Sequence, residues 1–553
     1  MSKKIEIFHS LKVDRFLLAV VILTFCSCLY GINWGIVESW HPDQMAFKNL
    51  FLAGKMPLNP GEFLKPPFYT YYIFFLDRFP LGLLGTILHI PQNTLDFIIL
   101  IWAQVLTVFL FLGSIVLVFQ ITKNFFGLFS ARIITVVFAT SATFIVHIHY
   151  LTTDIPVTFG MLLAFYFSQN ILLHGGLRNY ILAGFFTGIA TATKYNGLPI
   201  GLAIVLAHIF SLNYLLWKKL LFSKKLIVGL SMVVIGFIVG NPFAILDYPT
   251  FRSDFLYNYI ITPVYEGQHT GNSYWKFFVT IPTIIGWPSV VIFFIAILIS
   301  IYLVFSRNQN WMEKKAMLLL MGVFLIYYYK FGSFPRIVPR FVLPIVPYLL
   351  IMSAPFWEKL RNKRVAVSIL LIALISYNVL CSVNVGKSFV EEPRMIARKW
   401  IKENIPKGSS IEQTTYTPDM SELPEMKFTV VRMPFIGGRY RVFKQQFKDN
   451  KWLLEKLKFA EKEPNEQWYS LKELISRKPD YILINSMTFG RFIRGRVGLY
   501  YPTSKQFFNN LISEKYPYKI IFDQELKKTP IWMYPQDIEF LDNRMIILAR
   551  KDT

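Results

Sequence analysis

Phe16-Leu-Leu-Ala-Val-Val-Ile-Leu-Thr-Phe-Cys-Ser-Cys-Leu-Tyr-Gly-Ile-Asn-Trp34 is an uncharged run of nineteen residues. As a helix it would be about 28 Å long, close to the thickness of a bilayer's hydrocarbon core. A few residues later comes Trp40-His-Pro-Asp43-Gln44, and some twenty residues further Leu64-Lys65-Pro-Pro-Phe-Tyr-Thr-Tyr-Tyr72. The reading is a first membrane helix whose outer mouth carries a carboxylate and an ammonium. Lys3, Lys4, Lys12 and Arg15 precede the run, and no small-residue cleavage site follows it, so it reads as an uncleaved anchor.

Working outward, the 553-residue chain is 54% hydrophobic and only 17% charged, with a mean hydropathy of +0.42. This is the composition of a polytopic α-helical membrane protein. Fifty-two Phe and 29 Tyr suit lipid-facing surfaces and interfacial belts. About eleven spans are expected, at 16–34, 97–121, 132–151, 155–173, 180–196, 197–216, 226–246, 281–305, 316–332, 341–357 and 365–384. The aromatic segment 69–90 is broken by Asp77-Arg78 and Pro80 and reads as interfacial.

The net charge of +24 argues for membrane orientation rather than nucleic acid, because much of it sits in short gaps between apolar runs. With the N-terminus inside, the inward gaps hold 14 basic residues: Lys123, Arg132, Arg178, Lys218, Lys219, Lys224, Lys225, Arg307, Lys314, Lys315, Lys359, Arg361, Lys363 and Arg364. Two acids, Glu313 and Glu358, share those gaps. The outward gaps carry Glu38, Asp43, Glu62, Asp77, Asp96, Asp154, Asp247, Asp254 and Glu266. An inner (cell) membrane protein with a cytoplasmic N-terminus and an extracytoplasmic C-terminus is expected. Residues 1–385 would form the membrane unit, with a first outer loop at about 35–96. Residues 386–553 would form a mixed α/β outer (periplasmic) domain. There Pro393 to Ile405 reads as an amphipathic helix, and Ser409–Gln413, Tyr481–Asn485 and Met545–Ala549 read as strands. Cys26, Cys28 and Cys381 all lie in apolar runs and offer no disulfide framework.

Cations on the outward side break the charge rule and are therefore the informative ones: Lys65, Lys194, Lys330, Arg336 and Arg340. A charge at mid-membrane costs about 2.5–3.5 kcal/mol on insertion scales, and less near the interface. A phosphate on a lipid carrier would account for them, since Arg offers a bidentate fork and Lys a point charge; snorkelling at helix ends is the plainer alternative. Asp43 in a desolvated cleft could take a proton from an attacking hydroxyl. Asp154 opens the fourth span and could help orient an acceptor, hold a divalent ion, or simply cap the helix. His147 and His149, two residues apart, face different sides of a helix and read as structural. No P-loop, dinucleotide fingerprint, zinc pattern or Ser/His/Asp arrangement is present, and no cofactor is required beyond that optional divalent cation.

These motifs resemble those of the GT-C glycosyltransferases, in the branch of protein O-mannosyltransferases and aminoarabinose (lipid A) transferases that use polyprenyl-phosphate sugars. The resemblance rests on Pro42-Asp43-Gln44 with Leu64-Lys65-Pro-Pro-Phe-Tyr69, and on Thr153-Asp154-Ile-Pro-Val-Thr-Phe. It rests equally on Thr193-Lys194-Tyr-Asn-Gly197 and on Arg336-Ile-Val-Pro-Arg340-Phe-Val-Leu-Pro344. It implies a GT-C fold and inverting transfer from a polyprenyl-phosphate sugar to a lipid, glycan or protein hydroxyl at the outer face. Asp43 would be the catalytic base and Asp154 the second acid. Lys65, Lys194, Arg336 and Arg340 would meet the donor phosphate, with His41 and Tyr69 as further site candidates. The chain departs from the family in having Gln44 where an acid is common, and Leu64 where aminoarabinose-transferring members tend to have one. A lipid-linked-sugar flippase or a non-catalytic scaffold with an outer binding domain are the competing readings. The first asks for polar residues at mid-span, whereas the charges here gather on one side.

Overall fold

The first apolar run forms a helix, Arg15–Leu29, started by Asp14, whose carboxylate accepts the backbone N–H groups of Phe16 and Leu17. Turns then carry the chain through Trp34 to Ile36. The computed structural model describes residues 14–36, 40, 41, 43, 44, 58–211, 223–261, 272–306, 310–436 and most of 441–552. The sequence readings at Lys3, Lys4, Lys12, Glu38, Pro42, Lys218, Lys219, Glu266 and Arg307 fall outside these residues.

Each of the eleven expected segments contains a helix, but punctuation by Gly and Pro shortens several. Among the described residues six helices are long and apolar enough to cross a membrane: Gln92–Phe126, Asp154–His174, Trp287–Phe305, Trp311–Gly332, Pro339–Asn362 and Val367–Asn404. The pair Leu128–Ala139 and Ala142–His149, bent by 49°, makes a seventh if taken as one span. The expected span 281–305 is divided at Gly286, whose φ of 80° only glycine adopts freely, into Tyr274–Ile285 and Trp287–Phe305. Leu177–Thr193 and Lys224–Gly240 have 17 residues each. These two pack through a glycine seam. A methyl group added at Gly184 would strike the carbonyl oxygen of Gly229, and one at Gly236 would strike that of Phe185. Backbones this close are the usual use of small residues between membrane helices.

Segment 68–87 is one helical stretch with a π turn at Phe74–Arg78. Arg78 leaves the turn to pair with Asp96 at 2.7 Å. Asp77 points inward, fully buried, and neither carboxylate oxygen finds a hydrogen bond among the described residues. Burial pushes its carboxyl up to about 7, against the pull of Arg78.

The last long helix, Arg364–Val390, leads through a short turn into Pro393–Asn404 and a five-stranded sheet. Its strands are β1 (Ser410–Gln413), β2 (Thr429–Arg432), β3 (Tyr481–Asn485), β4 (Tyr518–Glu525) and β5 (Arg544–Arg550), in the order β2-β1-β3-β5-β4. The β2-β1-β3 side is parallel, and β5 runs antiparallel to both of its neighbours. The three strands expected from sequence are the central ones; continuous apolar runs mark β3 and β5 as buried on both faces, while β1, Ser-Ile-Glu-Gln, is buried with its polar side chains. The two missed strands are the edges, β2 being mostly exposed.

Two outcomes are expected. Gly184→Val should cost on the order of 3 kcal/mol through overpacking, whereas Gly82→Ala, with open space around its Cβ, should be neutral or mildly stabilising; thermal unfolding in detergent compares them. The folded-state pKa of Asp77 lies above its unfolded value, so its contribution is intact at low pH and is lost as pH rises towards 7 and beyond. Asp77→Asn should therefore gain stability relative to the parent between pH 4 and pH 8, by up to about 4 kcal/mol.

Candidate functional site

Three chain segments meet at Asp43. Lys65 Nζ donates to its Oδ1 at 2.7 Å, and Arg340 donates to its Oδ2 at 2.5 Å. Lys65 is set at this point because the loop before it is strapped down. Asp254 accepts the backbone N–H of Phe63 at 2.7 Å, Tyr195 donates to the Phe63 carbonyl at 2.8 Å, and Asn258 donates to that of Leu64 at 2.7 Å. Arg340 is carried by the short helix Pro339–Val342, whose first turn is opened by proline. Asp43 keeps about a third of its side chain exposed. Partial removal from water would raise its carboxyl, but Lys65, Arg340 and His41 outweigh this and hold it below the usual carboxylate range.

His41 is buried and accepts the Asp43 backbone N–H through Nδ1 at 3.0 Å. Burial keeps its imidazole well below the ordinary value, opposed by Asp43 and helped by Arg340, His147 and Lys65. A neutral ring is what an accepting Nδ1 requires. The ring is walled by Tyr150 at 4.5 Å and by Phe540, from the C-terminal part of the chain, at 4.2 Å.

Asp154 heads a second cluster. It is the first residue of its helix rather than the cap; Thr153 holds that position without a side-chain cap bond. Its carboxylate instead takes Lys194 Nζ at 2.5 Å and Thr152 Oγ1 at 3.0 Å. Lys194 sits where the helix Leu177–Thr193 ends and a 3-10 turn begins, which turns the ammonium back onto Asp154. His147 Nδ1 lies 3.8 Å from the same carboxylate, buried and, among the described residues, without a hydrogen-bond partner. It thus joins the charged cluster, which the i, i+2 spacing did not foretell. His149 is held by the carbonyls of Ile145 and Tyr30, at 2.8 and 3.0 Å, in keeping with a structural role.

The other candidates have different surroundings. Tyr69 is buried, and its hydroxyl is engaged with Thr107 Oγ1 at 2.5 Å, bracing two helices. Arg336 is half-buried in the turn before Arg340. Lys330 lies over the rings of Tyr259 and Phe334. Among the described residues no three His, Cys, Asp or Glu side chains gather as a metal site, and the Asp43 and Asp154 oxygens are taken by cations and a hydroxyl.

One residue outside the sequence candidates ties the site to the C-terminal sheet. Arg394 is wholly buried, 2.6 Å from Glu392, with its guanidinium 4.3 Å over the Trp40 ring. It also donates to the carbonyl of Phe540 at 2.8 Å and to that of Tyr416 at 3.2 Å. A contiguous path therefore runs from Arg394 through Phe540 and His41 to Asp43. The available signal was a cation in the first turn of a helix, against the macrodipole, which asks for a specific partner.

Residues 88–245 match the family model described as dolichyl-phosphate-mannose-protein mannosyltransferase. No curated protein matches the chain. Among solved structures it is similar to ArnT from Cupriavidus metallidurans bound to undecaprenyl phosphate, with a TM-score of 0.50 and 12% identity over 97% of each chain. It is also similar to the oligosaccharyltransferase of Archaeoglobus fulgidus in its apo form, with a TM-score of 0.46 and 13% identity over 95% of this chain and 76% of that one. The likeness to ArnT establishes the fold. With the family match, it bears out the GT-C resemblance drawn from the motifs.

Arg394→Met should strip the buried Glu392 of its guanidinium partner, at a cost of about 3–5 kcal/mol. Adding Glu392→Gln to that variant should recover part of the loss, and Arg394→Lys should not restore the parent, since it lacks the fork that reaches two carbonyls. Unfolding midpoints of the four proteins check this.

Proposed function

We propose that this chain is an integral-membrane glycosyltransferase that moves a sugar from a polyprenyl phosphate to an acceptor hydroxyl at the outer membrane face, with inversion. One observation carries the reading: Asp43 is bridged by Lys65 and Arg340, a carboxylate and two phosphate-binding cations at one point. Two comparisons support it. The matching family model describes mannosyl transfer from a dolichyl phosphate, and the ArnT structure with the same fold holds undecaprenyl phosphate.

The charges suggest the order of events. Without donor, Asp43 is doubly paired and a weak base. A donor phosphate competes for Lys65 and Arg340, draws them off, and leaves Asp43 free to accept a proton. The acceptor oxygen then attacks the anomeric carbon as Asp43 takes its proton. The bond from that carbon to the phosphate oxygen breaks, and the lipid phosphate departs with the electron pair. Lys65 and Arg340 stabilise the growing phosphate charge. Asp154, held by Lys194 beside His147, orients the acceptor or the sugar. No step is routed through a metal, since the described donor set does not assemble one.

Purified protein in liposomes, tested for undecaprenyl phosphate binding and for sugar transfer, examines this scheme. Asp43→Asn should lower turnover by about 10²–10⁴-fold while binding the lipid phosphate at least as tightly as the parent, because a competitor for the cations has gone. Lys65→Ala and Arg340→Ala should each weaken that binding by about tenfold or more. Parent-like turnover in Asp43→Asn removes Asp43 from the mechanism. Mass spectrometry of envelope lipids and glycoproteins with and without the gene names the sugar and the acceptor.

A further inference from the structure

At the other end of the helix bundle lies a cleft of about 410 Å³, lined by Leu128, Phe129, Arg132, Arg361, Ser368 and Leu371. Its volume is in the range of small-molecule sites, about 300–1,000 Å³. Its walls have two chemistries. Arg132, Arg361 and Ser368 are its polar lining residues, and Phe129, Leu128 and Leu371 supply an apolar side.

Helix lengths fix its position. Arg364–Val390 begins beside the cleft, and Phe389 in its last turn lies 5.2 Å from the ring of Trp34, which packs on Trp40 in the Asp43 loop. Twenty-seven residues at about 1.5 Å each span some 40 Å, the thickness of a bilayer including its headgroups. The cleft and the Asp43 cluster therefore sit at opposite membrane interfaces. Arg15 adjoins Asp14, the partner of Arg132, and Lys359 and Lys363 flank Arg361 in the chain. Among the described residues Asp14 takes Arg132 at 2.8 Å, Glu358 lies 3.5 Å from Arg361, and Glu313 is close enough to act on Glu358. Each guanidinium has five N–H donors, so one carboxylate leaves donors available. Arg361 in particular is loosely paired, with 69% of its side chain exposed.

We infer that this cleft binds the headgroup of an anionic phospholipid, the phosphodiester on Arg132 and Arg361 and the acyl chains along Phe129 and Leu371. A basic pocket between membrane helices with an apolar flank suits such a lipid and does not suit a zwitterionic one, whose cation would meet the same arginines. Free phosphate offers the anion without the chains and leaves the apolar wall unused.

The test is native mass spectrometry of the full chain released from nanodiscs of phosphatidylglycerol, of phosphatidylcholine, or of a mixture. One retained phosphatidylglycerol per chain is expected on the parent, with at least fivefold lower occupancy in Arg361→Gln and in Arg132→Gln. Lys363→Gln, which removes an equal charge outside the cleft, should keep parent occupancy. Equal retention of phosphatidylcholine, unchanged occupancy in both arginine variants, or an equal loss in Lys363→Gln would overturn the site. Displacement of the retained lipid by millimolar inorganic phosphate would overturn its identity as a lipid site. Circular dichroism of Arg361→Gln and Arg132→Gln establishes that each is folded before its occupancy is counted. The result is independent of any sugar-transfer measurement.

Discussion

Opposite charges removed from bulk water must find each other, and around Asp43 this requirement organises the molecule. Its two oxygens take one cation from 22 residues downstream and another from 297 residues downstream. The first loop, the Lys65-Pro-Pro turn and the Pro339–Val342 helix are thereby pinned to a single point. Breaking one partner of such a set costs more than the pair contributes, because the remaining charge is left poorly solvated. The Asp154–Lys194 pair repeats the device one helix away, and Arg340 is close enough to act on both carboxylates.

The same need for pairing explains what could be read in advance. Cations that violate the positive-inside pattern stand out in a sequence because the bilayer makes them expensive. Lys65, Lys194 and Arg340 were found in this way, and all three pair with the two singled-out acids. Tyr69 was carried by its motif neighbours, and it proves to brace two helices. His147 was set aside on spacing, which describes one helix and says nothing about a carboxylate approaching from the next turn of chain. Arg394 and Phe540 were invisible as site residues for the same reason: their meaning lies in contacts with Trp40 and His41, more than 350 positions away.

At the level of fold, hydropathy located a helix in each of the eleven expected spans but not its integrity, and it did not mark Tyr248–Ile261. A window average passes over Gly286, where one backbone conformation ends a helix that composition would continue, whereas the boundary expected at 196 falls inside the turn Tyr195–Gly201. Central strands β3 and β5 stand out as dense apolar runs and β1 by its place after the Pro406-Lys-Gly408 helix stop, while β2 and β4, at the more exposed edges, carry a pattern too dilute to separate from loop. The π turn at Phe74–Arg78 has no compositional mark beyond the Asp-Arg pair that interrupts the apolar stretch.

The wall behind His41 comes from Phe540, a dozen residues before the last residue described. During synthesis Asp43 emerges among the first segments, and for most of translation its histidine neighbour has no such cover. The pocket is finished only when the segment before β5 has folded back over His41 and Tyr150. Cover for the imidazole is thus built into chain order: a ribosome that stalls before Phe540 leaves the ring without that wall.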